Sequence, residues 1–350
     1  MNNQLDIRQI LQLALDKQAA DIILIGNQPV SLRVNGEILP MDDRRLTMED
    51  THALIDQIFS FTDRQERDEF YTTGDSDFSL SLPGLGRFRV NAYRQRSSPA
   101  AVIRTIRFDL PDPAALNIPP QVMRLAEIQK GFVLVTGTAS SGKSTTLACL
   151  IDRINTERNC HIITLEDPVE FIHKHKRSIV SQREIRLDTE NYATALRAAL
   201  RQSPDVILLG EMRDFETIRT AVTAAETGHL VFSSLHTNGV SKSIDRIIDV
   251  FPAEQQQQIR MQLSMVLQAV VSQQLLPAVD GSLVPAFEVM VVNPAIRNMI
   301  RSGKTKQIDA EIYAGRSEGM CTMDASIQQL LSEGKITAET AQLYAGNFRA

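Results

Sequence analysis

Residues 131–154 read GFVLVTGTASSGKSTTLACLIDRI. The opening GFVLVT is a nearly unbroken apolar run of strand type, and STTLACLIDRI, from Ser144 to Ile154, has the composition of a helix. Between them Gly137, Thr138, Ala139, Ser140, Ser141, Gly142, Lys143 and Ser144 satisfy the pattern G-x-x-x-x-G-K-[ST]. The chemistry needs this order. Successive backbone N–H groups and a helix N-terminus must face a polyphosphate, and glycines let the main chain curl closely around it. Lys143 adds a point charge for the outer phosphates, and Ser144 offers a hydroxyl to Mg²⁺. Thr145 either supports that hydroxyl or is an ordinary first-turn helix residue.

Working outward, a nucleotide site needs carboxylates to hold metal and to orient water. Three further apolar runs, His161–Leu165, Val206–Leu209 and Leu230–Ser234, alternate with helical segments and imply a mainly parallel sheet covered on both faces. The first is followed by Glu166 and Asp167, with Glu170 three residues on, and the second by Gly210-Glu211. In such sheets the carboxyl ends of the strands face the ligand crevice. Glu211 is placed to orient or deprotonate an attacking water, and Glu166, Asp167 and Glu170 to hold metal, its waters or a neighbouring loop. The competing reading of each is a helix cap or surface charge. His229 and His236 flank the third run, so only one can face the crevice. His236 is the better candidate for sensing the outer phosphate, while His229 caps a turn or bridges subunits. The pair His173 and His175 reads as a solvated basic turn rather than a metal site.

The rest of the chain frames this core. At 350 residues, with 43% hydrophobic and 23% charged content, two domains are expected. The first, residues 1–108, is a small α+β module. It opens with an amphipathic helix and continues through short strands at Asp21–Ile25, Val30–Val34, Asp77–Leu82, Gly86–Tyr93 and Ala100–Arg107. A turn at Asn35-Gly36 and a helix from Met48 to Phe59 complete it. Residues 109–120 hold four prolines and read as a linker. Residues 121–350 form the nucleotide-binding α/β domain, largely helical from about Ala253, with little strand signal outside Ser282–Val292 and a helical region from about 275. The net charge of −5 offers no general attraction to nucleic acid or anionic lipid. No apolar run approaches the eighteen or so residues that span a bilayer, and three cysteines without C-x-x-C spacing argue against disulfides or a zinc site. A cytoplasmic protein is expected.

Four segments together resemble a known family. ITLEDPVEF (Ile163–Phe171) is similar to the Asp box of the secretion-type hexameric ATPases, ALRQSPDVILLGEMRD (Ala199–Asp214) to their Walker B region, and AAETGHLVFSSLHTN (Ala224–Asn238) to their His box. The phosphate loop resembles the family's G-P-T-G-S-G-K-S-T, with Thr138, Ala139 and Ser140 in place of its Pro, Thr and middle Gly. Within the family the chain resembles the PilT-like retraction motors of type IV pili, because AIRNMIR (Ala295–Arg301) is similar to their C-terminal AIRNLIRE motif. The long N-terminal region and four-cysteine insert typical of assembly and export ATPases are not seen.

The resemblance implies a RecA-like P-loop core behind a PAS-like N-terminal domain, ATP and Mg²⁺ as ligands, a homohexameric ring, and ATP hydrolysis coupled to pilus retraction. It also implies arginines brought from the first domain toward the phosphates, with Arg96 and Arg104 as the candidates, and a role in retraction for the face bearing Arg297 and Arg301. The implied partner is the inner-membrane pilus platform. Membrane association is then peripheral, through protein contacts, without insertion, and nucleic acid is not a partner. Two other readings stay open: a pilus-assembly or type II secretion-type ATPase, and a weakly hydrolysing nucleotide-binding adaptor of another motor.

Overall fold

The computed structural model describes residues 5–34, 36–62, 64–106 and 110–349. The chain divides into two compact units, Met1–Phe108 and Asp109–Ala350.

The first unit is built on a six-stranded antiparallel sheet from β1 (Asp21–Leu24), β2 (Pro29–Val34), β3 (Glu37–Arg45), β4 (Asp75–Leu82), β5 (Gly86–Gln95) and β6 (Ser98–Ile106), ordered β3-β2-β1-β6-β5-β4. Alternate residues of β4 and β5 are buried, so one face packs against α1 (Ile7–Asp16), α2 (Met48–Phe59) and α3 (Arg64–Thr73). Two elements were not expected, β3 and α3. EILPMDDRR has no buried residue along β3, an edge strand whose charges and Pro40 discourage further pairing. The helix RQERDEFYTT has Phe70 as its one buried residue and so shows no apolar period. Asn35, on which the hairpin turn was read, and Arg107, the last residue of the expected sixth strand, lie outside the described residues, as does Asp109 of the linker.

In the second unit the proline-rich stretch leads into α4 (Pro120–Met123), with Ile118 buried and Leu110 and Leu116 packed on this unit's core. The sheet comprises β7 (Gly131–Thr136), β8 (His161–Glu166), β9 (Ile179–Glu184), β10 (Val206–Leu209), β11 (Leu230–Leu235), β12 (Leu267–Pro277) and β13 (Leu283–Val291). Its order is β13-β12-β7-β11-β10-β8-β9, parallel throughout except for β13 at the edge. Phe132 and Leu134 enter one core and Val133 and Val135 the other, as a sheet covered on both faces requires. The covering helices are α5 (Lys143–Glu157), α6 (Tyr192–Ala199), α7 (Phe215–Glu226), α8 (Val240–Asp249) and α9 (Ala253–Val266). Beyond the sheet lie α10 (Pro294–Arg301), α11 (Ile308–Ala314), α12 (Met323–Ser332) and α13 (Ala338–Arg349).

Two expectations are corrected here. The chain is not helical from Ala253 onward, since β12 follows α9 with no intervening residue, and the helical region starts at Pro294 rather than near 275. No turn former separates Val266 from Leu267, so the change of period carried no punctuation. The pair His173 and His175 is not a solvated basic turn: His173 is buried, His175 Nδ1 accepts from Val180 N at 3.1 Å, and the neighbouring Lys176 pairs with Asp152 at 2.8 Å.

Candidate active site

The loop after β7 is shaped by its neighbours. Gly142 takes φ +87° at the N-cap of α5, and no side chain caps that helix, whereas Asn191 and Asp214 cap α6 and α7. The first-turn amides of α5 therefore stay open, and with the helix dipole they make an anion site carrying roughly half a positive charge. A Cβ on Gly137 would meet the Gln273 carbonyl oxygen at 2.3 Å and Ser141 Oγ at 2.5 Å. Ser141 Oγ is buried without a hydrogen-bond partner among the described residues, a donor that a phosphate oxygen would satisfy. The Lys143 ammonium, only 7% exposed, donates to the Gly137 and Thr138 carbonyls at 2.9 and 2.6 Å. Burial lowers its pKa, while the Glu170 and Glu211 carboxylates oppose that shift.

Ser140 stands where the related loops have glycine, and its φ is +59°. A left-handed serine costs about 1–2 kcal/mol, whereas a glycine there loses about 0.5–1 kcal/mol more chain entropy on folding. The Ser140→Gly variant is therefore expected to be more stable by roughly 0.5 kcal/mol, read as a small rise in thermal midpoint without loss of ADP affinity. A lowered midpoint would show that the serine side chain contributes more than its backbone costs.

The loop forms one wall of a cleft of about 580 Å³, lined also by Glu166, Asp167, Glu170, Tyr192, Glu211, Arg213 and His236. Glu166 accepts from Thr164 Oγ1 at 2.6 Å and Gln182 Nε2 at 3.3 Å. Burial outweighs these bonds and pushes its carboxyl up to about 7, so both protonation states are present near neutrality. Asp167 and Glu170 are exposed in the same cleft. Among the described residues no three acidic, His or Cys side chains converge tightly enough to hold a metal by themselves. Glu211 uses one oxygen, Oε2, for both Arg213 Nε at 2.8 Å and His236 Nε2 at 3.3 Å. The arrangement joins an anion cradle, a buried cation and a carboxylate fixed by two partners, which is the equipment for moving a phosphoryl group to water.

The family model for the type II/IV secretion system protein matches residues 3–348. The chain belongs to that family. It is 44% identical over 338 residues to the type IV pilus retraction ATPase PilT of Pseudomonas aeruginosa, covering 97% of each chain. It is 45% identical over 317 residues to the twitching motility protein of Neisseria gonorrhoeae, covering 90% of this chain and 84% of that one. The crystal structure of the pilus retraction motor PilT with bound ADP matches with a TM-score of 0.89 and 45% identity over 96% of both chains. The fold is that of these secretion ATPases, and the protein binds nucleotide.

His229, Arg297 and Arg301 do not line the cleft. His229 precedes β11, at the opposite end from His236, and its Nδ1 lies 2.9 Å from the Ala224 carbonyl and 3.2 Å from Thr227 Oγ1, closing the end of α7. Arg297 donates to the Ser264 and Met265 carbonyls at 2.8 and 2.9 Å, which ties α10 to the end of α9, and Arg301 bonds Asn298 within its own helix. Arg104 and Arg96 belong to the first unit. Arg104 pairs with Asp21 at 3.2 Å, and Arg96 sits at φ +49° in the turn between β5 and β6. Three contributors went unrecognised in the sequence. Gln273 of β12 accepts from Thr146 Oγ1 at 2.7 Å and packs against both loop glycines, and Tyr192 of α6 reaches the floor of the cleft. Arg213, next to Glu211 within the Walker B-like segment, was also passed over, although its charge beside a strand-end carboxylate was a readable signal.

Proposed function

We propose that this protein is an ATP-hydrolysing motor of type IV pilus retraction. The observation that carries the reading is Glu211 at the carboxyl end of β10, facing the same cleft as the β7–α5 loop, in a chain alike along nearly its whole length to a retraction ATPase. Loop amides and Lys143 bind the phosphates, and the Ser144 hydroxyl would hold an Mg²⁺ ion, which would neutralise phosphate charge. Glu211 receives a proton from the attacking water, and His236, bonded to it, relays the state of the outer phosphate to α8. Asp167 and Glu170 would help to hold that ion, with Glu166 as their buried support.

The working assembly is a homohexamer, in which movement of the first unit brings Arg96 or Arg104 toward the phosphates; Arg104 must then leave Asp21. Its track is the inner-membrane pilus platform, reached from the cytoplasm. Among the described residues no helix is long and apolar enough to cross a membrane, which supports attachment through protein contacts. Deleting the gene tests the reading. Surface pili are expected to persist while twitching is lost; loss of the pili themselves would instead identify an assembly motor.

A further inference from the structure

Tyr192 is a cleft-lining group whose chemistry the reading above leaves unused. It opens α6, whose N-cap Asn191 accepts from Thr194 N at 2.9 Å, and its ring packs on the core beneath the sheet. Its hydroxyl is located by Gly210. That residue has no left-handed backbone, so conformation does not require glycine there. Space does. A Cβ at Gly210 would lie 2.8 Å from the Tyr192 hydroxyl, 3.3 Å from the Leu165 carbonyl oxygen and 3.4 Å from Glu166 Cα. The peptide cannot retreat, because Gly210 N donates to the Leu165 carbonyl at 2.8 Å and its own carbonyl accepts from Ser234 Oγ at 2.5 Å. The phenol oxygen is thus wedged between the ends of β8 and β10, where Glu166 and Glu211 emerge.

We propose that the Tyr192 hydroxyl is a catalytic group that fixes the attacking water against Glu211. Arg213 and His236 both hold Oε2 of Glu211, and the Glu211 side chain lines the cleft. One water proton passes to Oε1, and the other is held by the Tyr192 oxygen, which accepts it in a hydrogen bond. Burial and the Glu211, Asp167 and Glu166 carboxylates raise the phenol's pKa, which favours its protonated form. With both protons tied, the water lone pair is aimed at the outer phosphorus. The new P–O bond forms as the bond to the bridging oxygen breaks, and the electron pair leaves on ADP.

The proposal rests on the ATPase reading, and the purified full chain separates the two. If the wild type releases no phosphate from Mg²⁺-ATP, the ATPase reading fails and this proposal with it. If it does, Tyr192→Phe is expected to lower kcat about 10- to 100-fold while ADP affinity by calorimetry stays within about twofold. A kcat within about twofold of wild type, or ADP affinity lost in parallel with rate, overturns the proposal. Gly210→Ala supplies a second arm by displacing the hydroxyl without deleting it. It is expected to slow wild type but to slow Tyr192→Phe little further; full additivity of the two losses would show that Gly210→Ala acts by a route other than the hydroxyl and overturn its placement by Gly210.

Discussion

Glu211→Gln is expected to reduce phosphate release by about 10²- to 10³-fold while leaving ADP binding within about twofold of wild type. Glutamine keeps the size of the side chain and one oxygen. The Glu211 side chain is only 16% exposed, and Arg213 and His236 both hold Oε2, so the retained oxygen stays on that side. The amide nitrogen then occupies the Oε1 position. It presents hydrogens where the attacking water needs an acceptor, and it cannot take a proton. Phosphate contacts reside in the β7–α5 loop and are untouched, which predicts a split between turnover and binding. Steady-state phosphate release with calorimetric titration of ADP measures both. Equal, near-background rates in wild type and variant would favour a nucleotide-binding adaptor over a motor.

The same site shows which parts of a binding cleft a sequence can carry. The phosphate loop is legible because its work is local. Glycine positions, the lysine and the strand and helix on either side lie within about two dozen residues, and each has a backbone reason to be where it is. Glu166 and Glu211 are legible at one remove, because a parallel sheet gathers the carboxyl ends of its strands on one side. His236 follows for the same reason, and His229 is excluded by it. Gln273 and Tyr192 are not legible. Gln273 meets Thr146 across 127 residues of sequence, on a strand that begins where a helix ends and whose centre, Ser272-Gln273-Gln274, is polar. Tyr192 looks like one more aromatic residue at the start of an amphipathic helix, and its role depends on a gap left by Gly210. Arg297 adds a further case. Its place in a retraction motif came from the resemblance, and nothing local in the sequence showed that its guanidinium donates to the last carbonyls of α9. Both the edge strand β3 and the helix α3 escaped because a segment that buries little has little pattern to read.

Gly137→Ala is expected to abolish useful nucleotide affinity, by at least about 100-fold for ADP, and to lower the thermal midpoint. The argument is steric and directional. Ser272 of β12 pairs with Thr136 of β7, which sets Gln273 beside Gly137 and its carbonyl oxygen 2.3 Å from the position of a new Cβ. That is more than about 1 Å short of a van der Waals contact. The obstacle is sheet backbone, and Gly137 is held from the other side by its N–H bond to the Leu235 carbonyl at 3.2 Å. The loop must therefore unwind, or β7 and β12 must part. Gly142 provides the contrast. A Cβ there would meet Gln273 Nε2 at 2.7 Å, the far end of a side chain that can swing away once its bond with Thr146 breaks. What remains is the backbone strain of φ +87°, about 1–2 kcal/mol. Removing the Gln273 side chain should accordingly restore part of the ADP affinity lost in Gly142→Ala and none of that lost in Gly137→Ala, because only the first alanine collides with the atoms deleted. Equal rescue of both in calorimetric titrations would place the conflict in the Gln273 side chain and refute a backbone clash at Gly137.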